Sequence, residues 1–188
     1  MSLTLYKKKR NFSETPEPVS ANIKKEDKLI FVVQRHKASR LHYDFRLELN
    51  GVLKSWAIPK GPSMNPKDRR LAMMVEDHPI DYATFKGVIP EGNYGAGIVE
   101  IWDHGTYTLS PENKGTGLQA IKNGALKVIL KGRKLKGQFA LIRFKNAGDN
   151  SWLLIKDRDK FAVDDDYNSE ELTPKTSPIN KVLAKEKA

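Results

Sequence analysis

An all-β domain is predicted by three observations. The segment Leu41–Leu49 alternates apolar and polar residues without a break, Asn50-Gly51 follows it, and short apolar segments separated by turn residues fill the chain from residue 29 to about 161. In an extended strand, successive side chains point to opposite faces. Asn and Gly both tolerate the positive φ of a two-residue type I′ hairpin turn. Many short strands with regular turns build a barrel or a sandwich.

Along the chain, residues 1–28 are basic and polar, with Lys7-Lys8-Lys9-Arg10, Thr15-Pro16-Glu17-Pro18 and Lys24-Lys25-Glu26-Asp27-Lys28. They predict an extended N-terminal arm. Strands are expected at Leu29–Gln34, Leu41–Leu49, Val52–Ile58, Leu71–Glu76, Ala83–Val88, Gly97–Trp102, Thr106–Leu109, Leu126–Leu130, Gly137–Phe144 and Trp152–Lys156. Pro90–Gly97 is glycine-rich but lacks the strand–loop–helix setting of a nucleotide-binding loop, so it reads as a tight turn that permits close backbone approach. Gly115–Asn123 is the one short helix expected. Residues 29–161 form the domain proper. From residue 162 the chain turns polar and charged, with Asp164-Asp165-Asp166 and Glu170-Glu171, and predicts a loose tail to residue 188.

Composition bounds the function. A net charge of +10 and an isoelectric point near 9.6 predict a polyanionic partner. The absence of cysteine excludes disulfides, thiolate metal sites and cysteine nucleophiles, and fits a reducing cytoplasm. No apolar run approaches the ~20 residues that cross a membrane, and no apolar stretch follows the N-terminal basic cluster as a secretory signal requires.

The alternating segment carries the chemistry. One face presents Leu41, Tyr43, Phe45, Leu47 and Leu49, a core face; the other presents His42, Asp44, Arg46 and Glu48. Asp is depleted in strand interiors and needs a reason to be there. With His36 just upstream, two imidazoles and a carboxylate form a common ligand set for a divalent transition metal, accepting manganese, zinc, cobalt or iron. Arg46, two residues along the same face, suits a phosphate. These residues suggest a metal-assisted phosphoester site. Elsewhere, His78 ends an apolar strand, where barrel sites often open, but a lone histidine before proline is more often structural. His104 reads as a turn residue. Lys60, in a rigid turn, is a phosphate contact or a solvated loop lysine. Lys7, Lys8, Lys9 and Arg10 are a nucleic-acid contact or a solvated terminus.

The segment His36-Lys37-Ala38-Ser39-Arg40-Leu41-His42-Tyr43-Asp44-Phe45-Arg46-Leu47-Glu48 closely resembles the 3′-phosphoesterase domain of bacterial DNA ligase D and its free-standing relatives. So do Trp56–Pro62, Val75–Pro79, Tyr82 with Phe85-Lys86-Gly87, Ile89–Gly95 and Trp152–Lys156, and the arm through Tyr6, Lys9-Arg10, Phe12 and Thr15–Pro18. The resemblance implies a compact β-barrel with an active-site cleft. It also implies a manganese-dependent repair activity on DNA primer–template 3′ ends, with Zn2+ or Co2+ as other candidate ions. A terminal ribonucleoside leaves first, and the remaining 3′-phosphate is then hydrolysed to a 3′-hydroxyl. The resemblance assigns His36, His42 and Asp44 to the metal and Arg46 and His78 to the scissile phosphate. Tyr82, Lys60, Arg70, Gln34 and Glu76 match further positions that line or support the site. The family commonly has Asp after Lys-Arg in the arm, where this chain has Asn11, which predicts a weakened phosphatase step. A chain of 188 residues has no room for ligase or polymerase modules. It is expected to act as a monomer, free-standing or as an excised module, with a DNA ligase and a polymerase as partners.

Two other readings stay open. An iron(II) oxygenase would use His42, Asp44 and either His78 or His104 as a facial triad, with an arginine such as Arg143 for an oxoacid cosubstrate. A non-catalytic nucleic-acid-binding barrel would use Tyr43, Tyr94 and Trp102 as stacking platforms.

Overall fold

A computed structural model describes residues 3–19 and 28–186. Its organising element is the hairpin of β1 (Leu29–Lys37), β2 (Leu41–Leu49) and β3 (Val52–Ile58). Asn50 and Gly51 turn β2 into β3 at φ 53° and 79°, which places Leu49 opposite Val52. The sheet continues through β4 (Arg70–Met74), β9 (Ser151–Lys156), β8 (Lys136–Arg143), β7 (Ala125–Gly132) and β6 (Gly97–Leu109), all antiparallel. Pairing of β6 with β1 closes eight strands into a barrel, so closure removes the edges a sandwich would leave. A short β5 (Gly87–Ile89) pairs on the outside with the start of β6.

The two predicted strands at 97–102 and 106–109 are one continuous strand. A bulge at Trp102 lets β6 change its second neighbour from β5 to β7 while it stays paired to β1. His104 therefore lies within β6, exposed and opposite Val32, rather than in a turn. The strand expected at 83–88 is a 3₁₀ turn, Ile80–Thr84, followed by β5. At Gly97, a Cβ would sit 2.1 Å from the Lys37 carbonyl, so only glycine permits the close approach of β6 to the end of β1. The expected helix is α2 (Gly117–Asn123), opened by a capping box of Thr116 with Gln119 and closed by Gly124 at φ 82°.

The alternation of β2 divides the molecule into two layers. Tyr43, Phe45, Leu47 and Leu49 join Phe31, Val33, Trp56, Phe139 and Trp152 in the barrel interior. The opposite face of β1–β3 points out of the barrel, and a second apolar cluster of Tyr6, Leu53, Tyr82, Phe85, Ile89 and Val99 packs beside it.

Both termini differ from expectation. The arm is not extended: it forms α1 (Thr4–Lys8), buries Tyr6, Thr15 and Glu17, and lies against the outer wall. Lys24 and Lys25 fall outside the described residues. The C-terminal segment is not loose, because Arg35 is fully buried on β1 and requires carboxylates. Glu100 accepts from its Nη1 at 2.9 Å and Glu170 from its Nε at 2.9 Å. Ser177 and Asn180 add further acceptors, which fix α3 (Pro178–Glu186) against the barrel end.

Candidate active site

The outer wall of β1 and β2 carries its polar residues in cross-strand rows. His36 faces His42, Gln34 faces Asp44, and Val32 faces Arg46. On the next strand Ala57 lies beside Asp44 and Ser55 beside Arg46. Side chains opposite one another on one face of an antiparallel pair are neighbours, so the two strands assemble the site by register alone.

His36, His42 and Asp44 converge, with one ligand atom from each within 4.8 Å of the others. His36 Nε2 donates to the Gly95 carbonyl at 2.9 Å, which leaves Nδ1 as a lone pair 3.6 Å from Asp44 Oδ2. His42 Nδ1 donates to the Arg40 carbonyl at 3.0 Å, which leaves Nε2 3.8 Å from Asp44 Oδ1. Each imidazole thus has its tautomer set by a backbone acceptor and presents a lone pair inward, the arrangement that metal-ligating histidines use. Burial would push the Asp44 carboxyl up, but the adjacent charge of Arg46 leads the opposing effects and holds the group well below the ordinary carboxylate range. The donor set, two imidazole lone pairs and an ionised carboxylate, fits a divalent transition metal.

Arg46 stands beside this triad. Its Nε donates to Gln34 Oε1 at 2.7 Å and its Nη2 to Asp44 Oδ2 at 3.1 Å, while its Nη1 lies 3.0 Å from His78 Nδ1, the ring nitrogen that donates to the Glu76 carbonyl at 2.9 Å. Gln34 holds more than Arg46, since its amide donates to the carbonyls of Tyr82 at 2.9 Å and Phe85 at 2.8 Å. Those bonds shape the 3₁₀ turn that occupies the place of the expected strand. Tyr82 lies under Arg46, whose guanidinium carbon is 4.8 Å from the ring centroid. His78 is fixed by a two-way backbone bridge to Leu53. Burial, then the nearby charges of Arg46 and Arg10, push its imidazole well below the ordinary histidine range, so the ring is neutral in the free protein.

The folded arm supplies residues that sequence reasoning missed or misplaced. Arg10 is folded in against the outer wall and lines the cavity of the site rather than projecting into solvent. Its side chain is 5% exposed, and its Nη2 donates to His78 Nε2 at 3.2 Å. Its remaining groups pair with Glu17 at 2.8 Å and Glu76 at 3.1 Å. Glu17 also accepts from the Tyr82 hydroxyl at 2.9 Å, so it links the arm to the 3₁₀ turn. The sequence signal was an acid set between Pro16 and Pro18, too weak to read alone. Lys9 donates to Glu76 at 3.0 Å and to the Tyr94 hydroxyl at 3.2 Å, whereas Lys7 and Lys8 are exposed. Asn11 is exposed, and its Oδ1 accepts from the Ser13 hydroxyl at 2.7 Å.

One open cavity of about 280 Å³ is lined by His36, His42, Asp44 and Arg46 together with Arg10, Glu76, His78 and Tyr82, and Tyr94 is the exposed member of the lining. Lys60 and Arg70 are not among its lining residues. They line a separate hollow with Tyr43, Tyr167 and Glu170, where Arg70 donates to Asp68 and to the Tyr167 carbonyl, each at 2.8 Å. His104 and Arg143 also stand apart from the cavity, and Arg143 lies over Trp152 with a bond to the Ile121 carbonyl. A facial triad completed by His104 therefore does not form. Of the three proposed stacking residues, Tyr43 and Trp102 are buried, and Tyr94 alone is exposed.

Comparison with known proteins meets the same surface. Residues 34–143, more than half of the chain, match a family described as "DNA Ligase D 3'-phosphoesterase domain". The chain is 49% identical over 160 residues to the "Multifunctional non-homologous end joining protein LigD" of Pseudomonas aeruginosa, covering 84% of this chain and 19% of that protein. It is 47% identical over 142 residues to the "Multifunctional non-homologous end joining DNA repair protein LigD" of Mycobacterium tuberculosis, covering 75% of this chain and 18% of that one. With the LigD of Mycolicibacterium smegmatis the identity is 44% over 165 residues, 84% of this chain and 21% of the relative. The chain thus spans about a fifth of the length of these relatives. The matched stretch contains the end of β1 from Gln34, all of β2 and the His36–His42–Asp44 wall, and on that match the chain belongs to the DNA ligase D 3′-phosphoesterase domain family.

Proposed function

We propose that this protein is a metal-dependent phosphoesterase that heals DNA 3′ ends during break repair. On this reading it removes a 3′-terminal ribonucleoside and then the remaining 3′-phosphate, with a DNA ligase and a polymerase acting next on the 3′-hydroxyl. The observation that carries the reading is the juxtaposition in one cavity of the His36–His42–Asp44 donor set with Arg46, His78 and Arg10. A hard or borderline divalent cation beside guanidinium donors is a site for a phosphoester anion. The basic charge of the chain suits a polyanionic substrate.

His36, His42 and Asp44 would hold the ion, with Mn2+ as the proposed occupant and Zn2+ or Co2+ as competitors. Such an ion supplies Lewis-acid polarisation of a phosphoester oxygen. Arg46 enters the reaction already oriented by Gln34, so its charge meets the equatorial phosphate oxygens without reorganising. His78 is neutral before substrate arrives. A phosphate anion beside it opposes the two guanidinium charges, raises its proton affinity and lets it clamp the phosphate or protonate the leaving oxygen. Glu17 and Glu76 keep Arg10 against His78, and Tyr82 backs Arg46. Lys60 and Arg70, in their separate hollow, would take phosphates of the strand outside the cavity. Lys7 and Lys8 on the exposed face of α1 would touch duplex phosphates.

The test is a 5′-labelled primer–template ending in one ribonucleotide, incubated with manganese, magnesium, zinc or chelator. Expected is a metal-dependent shortening to a 3′-phosphate and then a 3′-hydroxyl. No product with any ion, or cleavage that survives chelator, overturns the reading. If Asn11 weakens the second step, 3′-phosphate accumulates and Asn11→Asp reduces it.

A further inference from the structure

We infer that Tyr94 is the platform on which the 3′-terminal nucleoside stacks, and so a specificity-determining residue for the first cleavage. This inference rests on the phosphoesterase reading above. Tyr94 is the most exposed aromatic side chain, at 48%, ahead of Phe161 and Phe144, whereas Tyr6, Tyr43, Trp56, Tyr82, Trp102, Tyr107 and Trp152 are buried. It lines the cavity of the His36–His42–Asp44 triad.

Its position is not that of a loose loop residue. The next residue, Gly95, accepts the hydrogen bond of His36 Nε2, so the ring is one peptide away from a group that orients a metal donor. On the other side, Lys9 Nζ lies 4.5 Å from the ring centroid while it donates to the Tyr94 hydroxyl, and Glu76 holds the same Lys9. The Arg10 guanidinium carbon is 5.4 Å from that centroid. A tyrosine held at both ends, with its ring open to solvent at the mouth of a polar cavity, has lost much of the side-chain entropy that stacking costs. Ala38, Val75 and Ile89 contribute apolar surface to the same cavity, and Arg46 with the triad contributes its anion-binding groups. A nucleoside phosphate has this division: a flat π-face at one end and an anion at the other.

The chemistry says which nucleoside. If the product keeps a 3′-phosphate, a water oxygen bonds to phosphorus while the bond from phosphorus to the 5′-oxygen of the terminal nucleoside breaks, and that oxygen takes a proton and leaves as the 5′-hydroxyl of the free nucleoside. With the phosphorus beside Arg46 and the triad, the departing nucleoside extends away from them toward the mouth, where Tyr94 stands. A strand that already ends in a 3′-phosphate has no such nucleoside and gains nothing from the platform.

The experiment compares Tyr94→Leu, Tyr94→Phe and Tyr94→Trp with wild type on three substrates. One primer–template ends in a ribonucleoside, one in an abasic ribose, and one in a 3′-phosphate. Tyr94→Leu should raise KM for the ribonucleoside end on the order of tenfold more than for the 3′-phosphate end. Phe and Trp should restore most of it. Wild type on the abasic end should resemble Tyr94→Leu on the full ribonucleoside. Equal losses on ribonucleoside and 3′-phosphate ends, or no change on either, would overturn the inference and leave the phosphoesterase reading standing. A wild type inactive on all three with every metal would instead remove the reading beneath it.

Discussion

Replacing Asp44 by Ala separates metal binding from folding. Asp44 is buried, its Oδ2 accepts from Arg46 Nη2 at 3.1 Å, and its two oxygens face His36 at 3.6 Å and His42 at 3.8 Å. At an effective dielectric of ~20, the pair with Arg46 alone has a gross Coulomb attraction of roughly 5 kcal/mol, most of which desolvation offsets. Breaking a buried pair typically costs about 3–5 kcal/mol. The low end applies here, because Arg46 retains Gln34 as an acceptor and keeps its seat over Tyr82. A loss of about 3 kcal/mol lies within the ~5–15 kcal/mol that holds a domain folded, so Asp44→Ala should remain folded at 25 °C with Tm lower by roughly 6–12 °C. Metal affinity should fall further than the ~10–100-fold that second-layer changes alone produce. Calorimetric titration with Mn2+, thermal denaturation without metal, and turnover of the ribonucleotide primer read the three effects. Asp44→Asn, which keeps the shape, should show the smaller Tm loss and the same loss of metal. Near wild-type turnover at saturating manganese, or unchanged Mn2+ affinity, would refute the ligand assignment. Unfolding of both variants at 25 °C would show that Asp44 holds the barrel wall itself together.

Gln34→Ala should lower kcat by about 100-fold with Tm also reduced, because it frees both Arg46 and the 3₁₀ turn; unchanged kcat would show that Arg46 needs no orientation. Lys7→Ala with Lys8→Ala should flatten the slope of log affinity against log salt by up to about 2 units with little effect on turnover at saturating substrate, whereas Arg10→Ala should damage turnover itself; an unchanged slope would mean that α1 touches no phosphate. The depressed pKa of His78 gives a pH dependence of stability. The unfolded chain binds its proton near 6.5 and the folded protein only at lower pH, so this contribution is complete above 6.5 and is lost as pH falls below it toward the folded value. The decline of Tm in that window should be shallower in His78→Asn; an identical decline would show that His78 does not titrate there.

Much of this architecture could be read from residues alone, and the reason is local. A period of two assigns faces without knowledge of the partner strand, so β2 declared its core side and its chemical side before any pairing was known. Asn50-Gly51 set the β2–β3 register, and His36, His42, Asp44 and Arg46 lie within one hairpin. The errors fall where a distant group decides. The segment after Pro79 looks like a strand, yet Gln34 captures the carbonyls of Tyr82 and Phe85 and curls it into a 3₁₀ turn. His104 sits in a sequence that resembles a turn, yet a bulge carries β6 through it.

The arm and the tail show the same limit most clearly. Their polar composition describes side chains in water, but Arg10 and Arg35 are not in water. Each is a guanidinium buried against carboxylates from far along the chain, Glu76 for Arg10 and Glu100 and Glu170 for Arg35. A buried cation must find such partners, and sequence does not say which acid will meet it. By itself the sequence determined an all-β chain, its two-faced strand and the donor types on it. Only the tertiary structure decided that the barrel closes through β1 and β6, that the arm completes the cavity, and that Lys60 and Arg70 lie outside it. Alternation and turn chemistry act between neighbours in the chain, whereas closure and ion pairing act across distances that only folding brings together.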